Sequence, residues 1–431
     1  METIKVGLIG FGTIGAGVAK ILIGKQDQIT KATGRQIELV KICDKDLTSD
    51  RSIDLPSGVL TDNLSEILDN PDISIAIELI GGLEPARSFV LNLMKAGKNV
   101  ITANKALLAN HGAELFSAAR SLNRTIAFEA AVCGGIPIIS SIGTALQANR
   151  IESIKAICNG TSNFILSQME EKGTDYQSAV REAQLLGYAE ANPSMDVDGT
   201  DATQKLAILA QLAFGAEVDW KSISKAGINC VDAVDIRFAK ELSYRIRLIA
   251  SAQQSPNGLE LNVSPTLVPE SSPLAQVKDA FNAVQIIGDS VGQVFYQGLG
   301  AGQHPTASAV CSDVIDTVLG RTAITFKTLK LWNDQNEKVV IKDPLTIYGR
   351  SYLRFCVKDQ PGVLAEIASI FGKCNISIAA MIQREEPALD HCVQMIIMTH
   401  AAPEGQLRQA VEIIAQFPFV HGTPIRLSVQ D

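Results

Sequence analysis

The sequence predicts an α/β protein with three domains. A Rossmann-type, doubly wound parallel sheet is followed by an α+β substrate and dimerisation domain and by a C-terminal ferredoxin-like domain. The chain of 431 residues is too long for one ordinary core. Its first part alternates strand and helix patterns, and its last part has the order β-α-β-β-α-β. The predicted boundaries are 1–130 with a return helix at about 306–325, 131–305, a linker at 326–349, and 350–431.

The composition is that of a globular protein with moderate negative charge. Hydrophobic residues make up 46% of the chain, charged residues make up 19%, and the net charge is −8. This balance argues against nucleic acid or an anionic membrane surface as a partner. The N-terminus opens directly into a strand pattern, and no apolar run reaches about 18 residues. We therefore expect no signal peptide, no membrane span and a cytoplasmic location.

The eight cysteines and five histidines form no recognisable site. The cysteines are scattered and make no CxxC pair, so we expect reduced thiols. The histidines make neither an HExxH motif nor a Cys/His spacing. A zinc site or a Ser–His site therefore has little support.

A glycine motif follows the first predicted strand, Lys5–Ile9, and opens a helix. Its residues are Gly10, Phe11, Gly12, Thr13, Ile14 and Gly15. The first glycine permits a tight turn, the second lets the backbone approach a pyrophosphate, and the third allows close helix–strand packing. The amides at the start of the helix can then bind phosphates. The sequence therefore predicts a bound dinucleotide.

Asp44 follows the second predicted strand, Ile37–Cys43, and is the candidate for holding the adenosine ribose. It lies 29 residues after the glycine motif. We interpret the polar segment Gly24–Gln36 as a loop insertion that explains this distance. Lys41 and Lys45 could instead receive a 2′-phosphate, so the choice between NAD and NADP stays open.

Further alternating elements extend the parallel sheet. The predicted strands and helices are Ile73–Ile80, Glu84–Ala96, Asn99–Thr102, Lys105–Leu122 and Thr125–Glu129. Ligands bind beyond the carboxyl ends of such strands, where the loops Leu79–Gly82, Thr102–Lys105 and Glu129–Pro137 fall. Lys105 would begin a helix, where the dipole disfavours a cation, so we favour a functional role for it.

From about residue 131 the pattern becomes that of an α+β domain. The predicted strands are Ile151–Cys158, Leu259–Leu267, Ala283–Gly288 and Gln293–Tyr296. A helix is predicted to begin at Asp201, and a second is predicted over Phe238–Ala252.

The stretch Gly187–Leu209 concentrates charge beside a predicted helix. Its charged side chains are Glu190, Asp196, Asp198, Asp201 and Lys205. Thr200 or Asp201 is the expected N-cap. Asp201 and Lys205 share one helix face with the apolar Ile208, Leu209 and Leu212. Burying such a pair is costly unless it is paired or used, so we predict an active-site helix. The alternative is an ordinary surface ion pair.

The C-terminal segment follows a predicted helix at about 306–320 and the polar, linker-like segment Leu331–Ile347. Its predicted strands and helices are Tyr352–Val357, Val363–Cys374, Ile376–Arg384, His391–Thr399, Glu404–Gln416 and Val420–Leu427. This order is that of a ferredoxin-like unit.

Six segments of the chain closely resemble homoserine dehydrogenase. They are GFGTIGAGV at the N-terminus, TANKALLA at 102–109, EAAVCGGIPII at 129–139, NGTSNFIL at 159–166, LGYAEANPSMDVDGTDATQKL at 186–206 and GLGAGQHPTASAVCSDV at 298–314. They are in order, individually unusual and spread over about 300 residues. Cys133 is a mild departure, since a small residue such as alanine is expected there. The C-terminal unit is similar to an ACT domain, a module that binds small amino acids.

The resemblance implies reversible, NAD(P)H-dependent reduction of L-aspartate 4-semialdehyde to L-homoserine, in threonine, methionine and isoleucine biosynthesis. It implies that Lys205 transfers the proton and that Lys105 lies near the nicotinamide and the reacting oxygen. Asp201 would orient Lys205 and, with Glu190 and Gly187, bind substrate. Cofactor contacts are implied for Lys105, Gly187, Glu190 and Gly302.

The loop that begins at Glu129 resembles the family's monovalent-cation site. The Glu129 carboxylate and the carbonyls of Val132, Gly134 and Ile136 would bind an ion such as sodium. The alternative is a tight glycine turn before Pro137, with Glu129 capping it.

The ACT resemblance implies an effector turn at Asp359 and Gly362, with threonine as the expected effector. The alternative is a domain that serves only oligomerisation. We expect a homodimer or homotetramer, and no kinase segment before the nucleotide fold. Two other functions stay open. One is another NAD(P)-dependent amino-acid semialdehyde reductase, and the other is a non-catalytic amino-acid sensor.

Overall fold

The computed structural model describes residues 2–332, 338–384 and 392–430. The chain divides into two compact units. Unit 1 comprises Met1–Glu152, Gln204–Ser222 and Phe281–Val339, and unit 2 comprises Ser153–Thr203, Ile223–Ala280 and Val340–Asp431. Within the described residues, no helix is both long enough and apolar enough to cross a membrane.

The N-terminal part of unit 1 is a strand–helix alternation. Its elements are β1 (Thr3–Ile9), α1 (Thr13–Gly24), α2 (Gln26–Thr33), β2 (Gln36–Cys43), β3 (Leu60–Thr61), α3 (Ser65–Leu68), β4 (Ile73–Glu78), α4 (Ala86–Lys95), β5 (Asn99–Thr102), α5 (Lys105–Ser121) and β6 (Ile126–Ala127). The strands pair in parallel in the order β3-β2-β1-β4-β5-β6. This order reverses between β1 and β4, where doubly wound sheets bind ligands. The predicted doubly wound sheet is confirmed.

The prediction that Gly24–Gln36 is a loop insertion is wrong, because this segment contains helix α2. Ile29 is the buried residue of this helix, and its other side chains are half-buried or exposed. The helix ends at Gly34, which has φ +68° and donates its amide to the Thr30 carbonyl. The helix has eight residues and one buried side chain, so its apolar stripe is too short to stand out in the sequence.

The middle of the chain adds helices and a second group of strands. They are α6 (Ile138–Ser140), β7 (Ile151–Ile157), α7 (Gly160–Lys172), α8 (Tyr176–Leu185), α9 (Ser194–Val197), α10 (Thr200–Phe214), β8 (Ser224–Lys225), α11 (Ala233–Glu241), β9 (Tyr244–Ser255), β10 (Gly258–Pro269), β11 (Phe281–Gly288) and β12 (Gly292–Leu299). The predicted strands of this region are present with shifted ends.

The predicted helix Phe238–Ala252 is wrong. The chain leaves α11 at Glu241, passes through Ser243 at φ +63°, and continues as the strand β9. β9 pairs with β7 on one side and with β10 on the other. Its residues 246–250 are all buried, so the strand shows no polar–apolar alternation. A short, continuously apolar run cannot be distinguished from a buried helix by periodicity.

The last elements complete both units. They are α12 (Gln303–Val318) and α13 (Arg321–Leu329) in unit 1, and β13 (Tyr348–Lys358), α14 (Val363–Lys373), β14 (Ile378–Gln383), β15 (Cys392–Thr399), β16 (Ala402–Pro403), α15 (Glu404–Ala415) and β17 (Val420–Val429) in unit 2. The order β17-β13-β15-β14, with antiparallel neighbours, is the ferredoxin-like arrangement that the sequence predicts.

The ferredoxin-like sheet continues the sheet of the substrate region in unit 2. β17 pairs in parallel with β10, through Thr266 opposite Ser428 and Leu267 opposite Val429. The strand order is therefore β7-β9-β10-β17-β13-β15-β14. The C-terminal domain is therefore joined to the substrate region by backbone hydrogen bonds between β17 and β10, in addition to the linker.

The predicted linker Leu331–Ile347 is anchored where the structure describes it. Arg120 donates to the carbonyls of Leu331 and Trp332, and the Trp332 ring packs 4.6 Å from that of Phe116. Residues 333–337 lie outside the described part of the chain. In unit 2, Leu259 donates to the Val340 carbonyl at 2.8 Å.

The expectation that all thiols are reduced is corrected, because Cys356 and Cys392 form a disulfide in the ferredoxin-like domain. The two residues are 36 positions apart in sequence, on the neighbouring strands β13 and β15, with Cα atoms 5.7 Å apart. The spacing of two cysteines in the sequence does not show that strand pairing will bring them together. The other six cysteines carry thiol groups.

Candidate functional site

The glycine motif forms the turn between β1 and α1. Gly10 has φ +96°, and a Cβ there would lie 2.7 Å from the Leu79 carbonyl oxygen. A Cβ on Gly15 would lie 2.1 Å from the Gly10 oxygen. A Cβ on Gly12 would meet no heavy atom of the described residues within 4 Å. The turn therefore requires Gly10 and Gly15 for its own packing, whereas Gly12 leaves open space for a ligand.

This turn fits a pyrophosphate. Gly12 is the N-cap of α1 and has no side chain with which to cap the first amides. Such amides carry the positive end of the helix dipole and are donors for phosphate oxygens. Thr13, Ile14 and Gly15 are the first residues of this helix.

Asp44 lies immediately after β2 and supports the same turn. Its carboxylate accepts the Phe11 N–H and, at 2.9 Å, the Asp46 N–H. Arg51, which the sequence did not single out, donates to the Phe11 carbonyl at 2.6 Å and stacks over the Phe11 ring. Lys41, an alternative phosphate ligand, donates to the Glu66 carboxylate. Arg51 is therefore a better placed cation than Lys41 for this region.

The loops after β4 and β5 are joined by a buried carboxylate. Glu78 accepts the N–H groups of Ile80 and Gly81 and the Thr102 hydroxyl, the latter at 2.7 Å. Asn104 caps α5 by accepting the Leu107 N–H. Lys105 follows as the first residue of α5 and is half-buried. The structure thus places this lysine at the carboxyl end of the parallel sheet, as predicted.

In the Glu129 loop, the Glu129 carboxylate caps the following turn. The loop also carries oxygen atoms of the kind that bind a cation. Glu129 accepts the N–H groups of Ile139 and Ser140 at 2.8 Å each. Burial raises the pKa of Glu129 although these hydrogen bonds oppose it. Asp313 accepts the Glu129 N–H at 2.9 Å, and burial, followed by the Glu129 charge, raises the pKa of Asp313 well above its usual value. Two buried carboxyl groups this close favour a neighbouring positive charge.

The backbone of the same loop turns sharply. Cys133 has φ +55° and Gly134 has φ +34°, and a Cβ on Gly134 would lie 2.7 Å from the Gly300 oxygen. The Ile136 carbonyl accepts the Ile138 N–H at 2.7 Å. Oxygen ligands of this type, together with the Val132 carbonyl, are suited to a hard ion. The described residues contain no group of three or more His, Cys, Asp or Glu that could hold a metal.

The start of helix α10 differs from the prediction, and the helix is buried on every side. Asp198 accepts the Thr200 N–H at 2.8 Å and the Thr200 hydroxyl at 2.9 Å, so neither Thr200 nor Asp201 is the N-cap. Residues 201–212 are all buried. Gln204 and Gln211, on other faces of the helix, are buried as well. Asp201 and Lys205 are 5% and 8% exposed.

Asn159 joins two of the predicted carboxylates in unit 2. Its side-chain amide donates to Asp196 at 2.7 Å and to Asp201 at 2.9 Å. Its carbonyl oxygen caps α7 by accepting the Ser162 N–H at 2.8 Å. Both N–H groups of this buried amide are therefore directed at the two carboxylates. Sequence reasoning missed this role, although Asn159 opens one of the quoted motifs.

Lys225 contacts the segment that leads into α10. Its ammonium group donates to Asp198 at 3.1 Å and to the Thr200 hydroxyl. Although partial burial of Asp198 has the opposite effect, its hydrogen bonds with Thr200 and Lys225 lower the pKa of its carboxyl group. Asp198 thus stabilises the N-terminus of α10 through its hydrogen bonds with Thr200. Lys225 was not predicted.

Gly187 and Glu190 lie in the loop between α8 and α9. Gly187 has φ +77° and is exposed, as is Glu190. The loop is fixed by Thr161, which donates to the Tyr188 carbonyl at 2.6 Å, and by Gln184, which donates to the Glu190 carbonyl. These contacts leave the Glu190 carboxylate on the surface of unit 2.

The predicted site residues are distributed over both units. Unit 1 holds the glycine motif, Asp44, Lys105, Glu129, Lys205 and Gly302. Unit 2 holds Gly187, Glu190 and Asp201. Gly302 is the N-cap of α12 and has φ +116°.

The turn predicted to bind an effector borders a cavity in the ferredoxin-like domain. This cavity has a volume of about 550 Å³, and Asp359 and Gly362 both line it. Gly362 has φ +97° and is the N-cap of α14.

These features define an NAD(P)-dependent oxidoreductase that carries an ACT-type domain. Family models match "Homoserine dehydrogenase, NAD binding domain" at residues 10–129, "Homoserine dehydrogenase" at 137–315 and "ACT domain" at 351–419. The homoserine dehydrogenase of Neisseria gonorrhoeae is 41% identical over 96% of this chain and 95% of its own. That of Pseudomonas aeruginosa is 39% identical over 100% and 99%.

Solved structures agree with these matches. The structure of a homoserine dehydrogenase from Thiobacillus denitrificans superposes with a TM-score of 0.93 at 42% identity, covering 100% of this chain and 99% of that one. The S. aureus homoserine dehydrogenase at pH 7.5 gives 0.75 at 28% identity, with coverage of 100% and 99%. The chain belongs to the homoserine dehydrogenase family, and the predicted resemblance is confirmed. The two alternative functions receive no support from these comparisons.

Proposed function

We propose that the protein interconverts L-homoserine and L-aspartate 4-semialdehyde with NAD or NADP, in the biosynthesis of threonine, methionine and isoleucine. The observation that carries this proposal is the buried acid–base helix. Lys205 and Asp201 lie one turn apart on α10, and Asn159 fixes the Asp201 carboxylate at 2.9 Å. Family membership supports the same reaction.

In this proposal Lys205 exchanges the proton of the substrate hydroxyl. Oxidation of an alcohol requires a base for this proton, and the reverse reaction requires an acid. The nicotinamide, when bound, supplies the hydride chemistry. Asp201 orients the Lys205 ammonium group. Asp201, Glu190 and Gly187 bind the substrate, whose ammonium group suits the two carboxylates.

Lys105 stabilises the negative charge that develops on the reacting oxygen. A cation aimed at a developing alkoxide lowers the barrier most where the site excludes water. The Asn104 cap and the Glu78–Thr102 hydrogen bond fix the turn from which Lys105 projects. The glycine turn would hold the dinucleotide, and Asp44, Lys105, Gly187, Glu190 and Gly302 would make further contacts with it.

A monovalent cation, sodium in this proposal, binds the Glu129 carboxylate and the carbonyls of Val132, Gly134 and Ile136. It would neutralise charge next to the buried Asp313 carboxyl group and rigidify the loop. The test is thermal unfolding in sodium chloride and in choline chloride at equal ionic strength. A higher Tm in sodium, lost in Glu129→Gln, supports the site. Equal Tm values in both salts contradict it.

The cavity at Asp359 and Gly362 binds an amino-acid effector, for which we propose threonine. Because β17 pairs with β10, removing the C-terminal domain would disrupt the sheet of unit 2. A point variant is therefore the better test. Asp359→Ala should abolish inhibition by threonine at unchanged basal turnover. Inhibition that persists unchanged contradicts this effector site.

We further propose a cytoplasmic homodimer or homotetramer. β14 ends the described strand order, so its outer edge is available for pairing with a second copy. Sedimentation of the purified protein measures the subunit number, and a monomer at assay concentrations contradicts the proposal.

The direct test of the reaction is a steady-state comparison of alcohols and coenzymes. L-homoserine, L-serine and L-threonine are each assayed with NAD and with NADP. The proposal predicts that L-homoserine has the highest kcat/KM with at least one coenzyme. A better alcohol would indicate a different semialdehyde reductase, and binding of dinucleotide without any turnover would indicate a sensor.

A further inference from the structure

The Asp44 carboxylate is held at the glycine turn by the backbone of the protein. Its Oδ2 atom accepts the Phe11 N–H, and its Oδ1 atom accepts the Asp46 N–H at 2.9 Å. The Asp44 N–H donates to the Thr61 carbonyl at 3.0 Å, next to the pairing of β2 with β3. A carboxylate offers about four acceptor positions, so about two of them remain for a ligand. The acceptor is therefore fixed in place before a coenzyme binds.

The end of the second strand of a doubly wound sheet is where the adenosine ribose of a dinucleotide binds. An acidic residue there accepts a hydrogen bond from the 2′-hydroxyl of NAD, whereas NADP carries a phosphate on the same oxygen. A phosphate monoester has a charge of about −1.5 to −2 near neutral pH, and it replaces the hydroxyl that donates to the carboxylate. A carboxylate at this point therefore favours the hydroxyl and repels the phosphate.

Two further carboxylates follow Asp44 in the same loop. Asp46 accepts the N–H groups of Thr48 and Ser49 at 3.0 Å each. Hydrogen bonds with Ser49, followed by those with Thr48, hold the pKa of the Asp46 carboxyl group well below its usual value, so it is ionised near neutral pH. Asp50 is exposed to solvent. The loop after β2 therefore adds negative charge beside Asp44.

The buried Cys43 thiol, at the end of β2, lies in the field of several carboxylates. Burial raises the pKa of this thiol, and the charges of Asp44, Asp62 and Glu66 raise it further. The carboxylates thus disfavour another negative charge at this end of the strand, and the same field acts on an anionic ligand. The carboxyl end of β2 is therefore an unfavourable place for a phosphate.

Arg51 is committed to acceptors of the protein. It donates to the carbonyls of Phe11 and Ser49 at 2.6 Å each and to that of Asp46 at 2.9 Å. Its guanidinium group also pairs with the Asp46 carboxylate at 3.1 Å. These contacts occupy most of its N–H groups, and the Asp46 carboxylate offsets its charge. Arg51 therefore holds the loop against the glycine turn and does not serve as a phosphate ligand.

The two lysines of the segment provide little positive charge for a phosphate. Lys41 donates to the Gly58 carbonyl at 2.7 Å and to the Glu66 carboxylate. Lys45 is exposed to solvent. An exposed ammonium group on a flexible side chain is strongly hydrated, and salt screens its attraction for a phosphate. One exposed lysine does not compensate the carboxylates of this loop.

We propose that NAD is the coenzyme of this protein and that Asp44 is the residue that discriminates against NADP. Asp44 accepts hydrogen bonds from the adenosine ribose of NAD. Asp44 and Asp46 together repel the 2′-phosphate of NADP. The preference in turnover rests on the proposed function, whereas the preference in binding does not.

Binding is tested by isothermal titration of the full-length protein with NAD, NADP and 2′-deoxy-NAD at fixed ionic strength. NAD should bind about tenfold or more tightly than NADP, because like charges at the ribose oppose each other. The 2′-deoxy compound should bind about tenfold or more weakly than NAD, because a hydrogen bond to a charged acceptor is lost. An NADP affinity equal to or above that of NAD overturns the preference. Equal affinities for NAD and 2′-deoxy-NAD overturn the role of Asp44.

Asp44→Asn removes the charge and keeps the shape of the side chain and one acceptor oxygen. The ratio of the NADP Kd to the NAD Kd should fall about tenfold or more in this variant. A purely structural role of Asp44 predicts weaker binding of both coenzymes at an unchanged ratio, and that result overturns the assignment. Asp27→Asn is the matched control, since Asp27 is an exposed aspartate in the first turn of α2, and it should keep the wild-type ratio. If Asp44→Asn does not fold, the three wild-type titrations still decide the proposal.

Turnover separates this proposal from the proposed reaction. The kcat/KM for the coenzyme, measured during oxidation of L-homoserine, should be about tenfold or more higher for NAD than for NADP. If homoserine is not oxidised but NAD binds more tightly than NADP, the proposed reaction fails and the coenzyme preference stands. If homoserine is oxidised with NADP at a kcat/KM equal to or above that with NAD, the reaction stands and the coenzyme preference is overturned.

Discussion

Replacement of Asn159 by serine separates its two structural roles. The serine hydroxyl can still accept the Ser162 N–H and cap α7. It is too short, and has too few donors, to reach both Asp196 and Asp201, which the wild-type amide contacts at 2.7 and 2.9 Å. The variant therefore removes the link between the two carboxylates and keeps the helix cap.

The expected loss follows from the hydrogen bond to the catalytic carboxylate. A hydrogen bond to a charged group contributes about 1.5–3 kcal/mol, which corresponds to a factor of about 10 to about 100 in kcat/KM. Because Asp201 is proposed to hold both Lys205 and the substrate, we expect a lower kcat and a higher KM for L-homoserine. The cap is retained, so the free energy of unfolding should fall less than in Asn159→Ala.

The assay combines steady-state kinetics with denaturant unfolding. Asp175→Ala is the control, because Asp175 caps α8 by accepting the Ser178 N–H and lies on the surface. It should lose some stability from the missing cap and keep full activity. If Asn159→Ser oxidises homoserine as fast as the wild type, the Asn159 bridge has no part in catalysis and the reasoning fails.

Three further predictions concern the cofactor turn, the helix start and the disulfide. Gly12→Val should keep the wild-type Tm, because Gly12 has φ −71° and open space, and it should weaken NAD(P) binding about tenfold or more. Gly15→Ala should instead lower the Tm, and the reverse pattern would refute the turn's geometry. The folded pKa of Asp198 lies below the unfolded value of 3.8, so its contribution to stability is present above that value and is lost as pH falls through the folded pKa. Lys225→Met should reduce this acid-induced loss in urea unfolding, and an unchanged pH dependence would contradict the contact. Titration of thiols in the unfolded, unreduced protein should find six, and eight after reduction, whereas eight in both states would exclude the Cys356–Cys392 bond.

The elements with the clearest periodicity and turn signals could be predicted from the sequence. β5 has the predicted ends, and the parallel sheet follows from alternating strands and helices. The failures have physical causes. α2 is short and buries mainly Ile29, so its apolar stripe is too short to recognise. β9 is buried on both faces, which removes the strand alternation.

The residues proposed to carry the chemistry could be predicted from the sequence more readily than the residues that hold them in place. Lys205 and Asp201 stood out as charges among apolar residues. Asn159 and Lys225 did not, because an amide 42 positions from Asp201 and a lysine 27 positions from Asp198 are brought near only by the fold. The continuous sheet from β10 to β17 was missed for the same reason, since strand pairing across domains leaves no local pattern.

The most direct test of the proposed mechanism is the turnover of Lys205→Met with L-homoserine, measured together with its Kd for NAD(P). Methionine approximates the length of the lysine side chain and removes its proton-transfer group. The mechanism predicts a loss of about 10²–10⁴ in kcat, since general acid–base groups contribute that much, with dinucleotide binding retained. Turnover within a few-fold of the wild type, at the same dinucleotide affinity, would show that Lys205 does not transfer the proton.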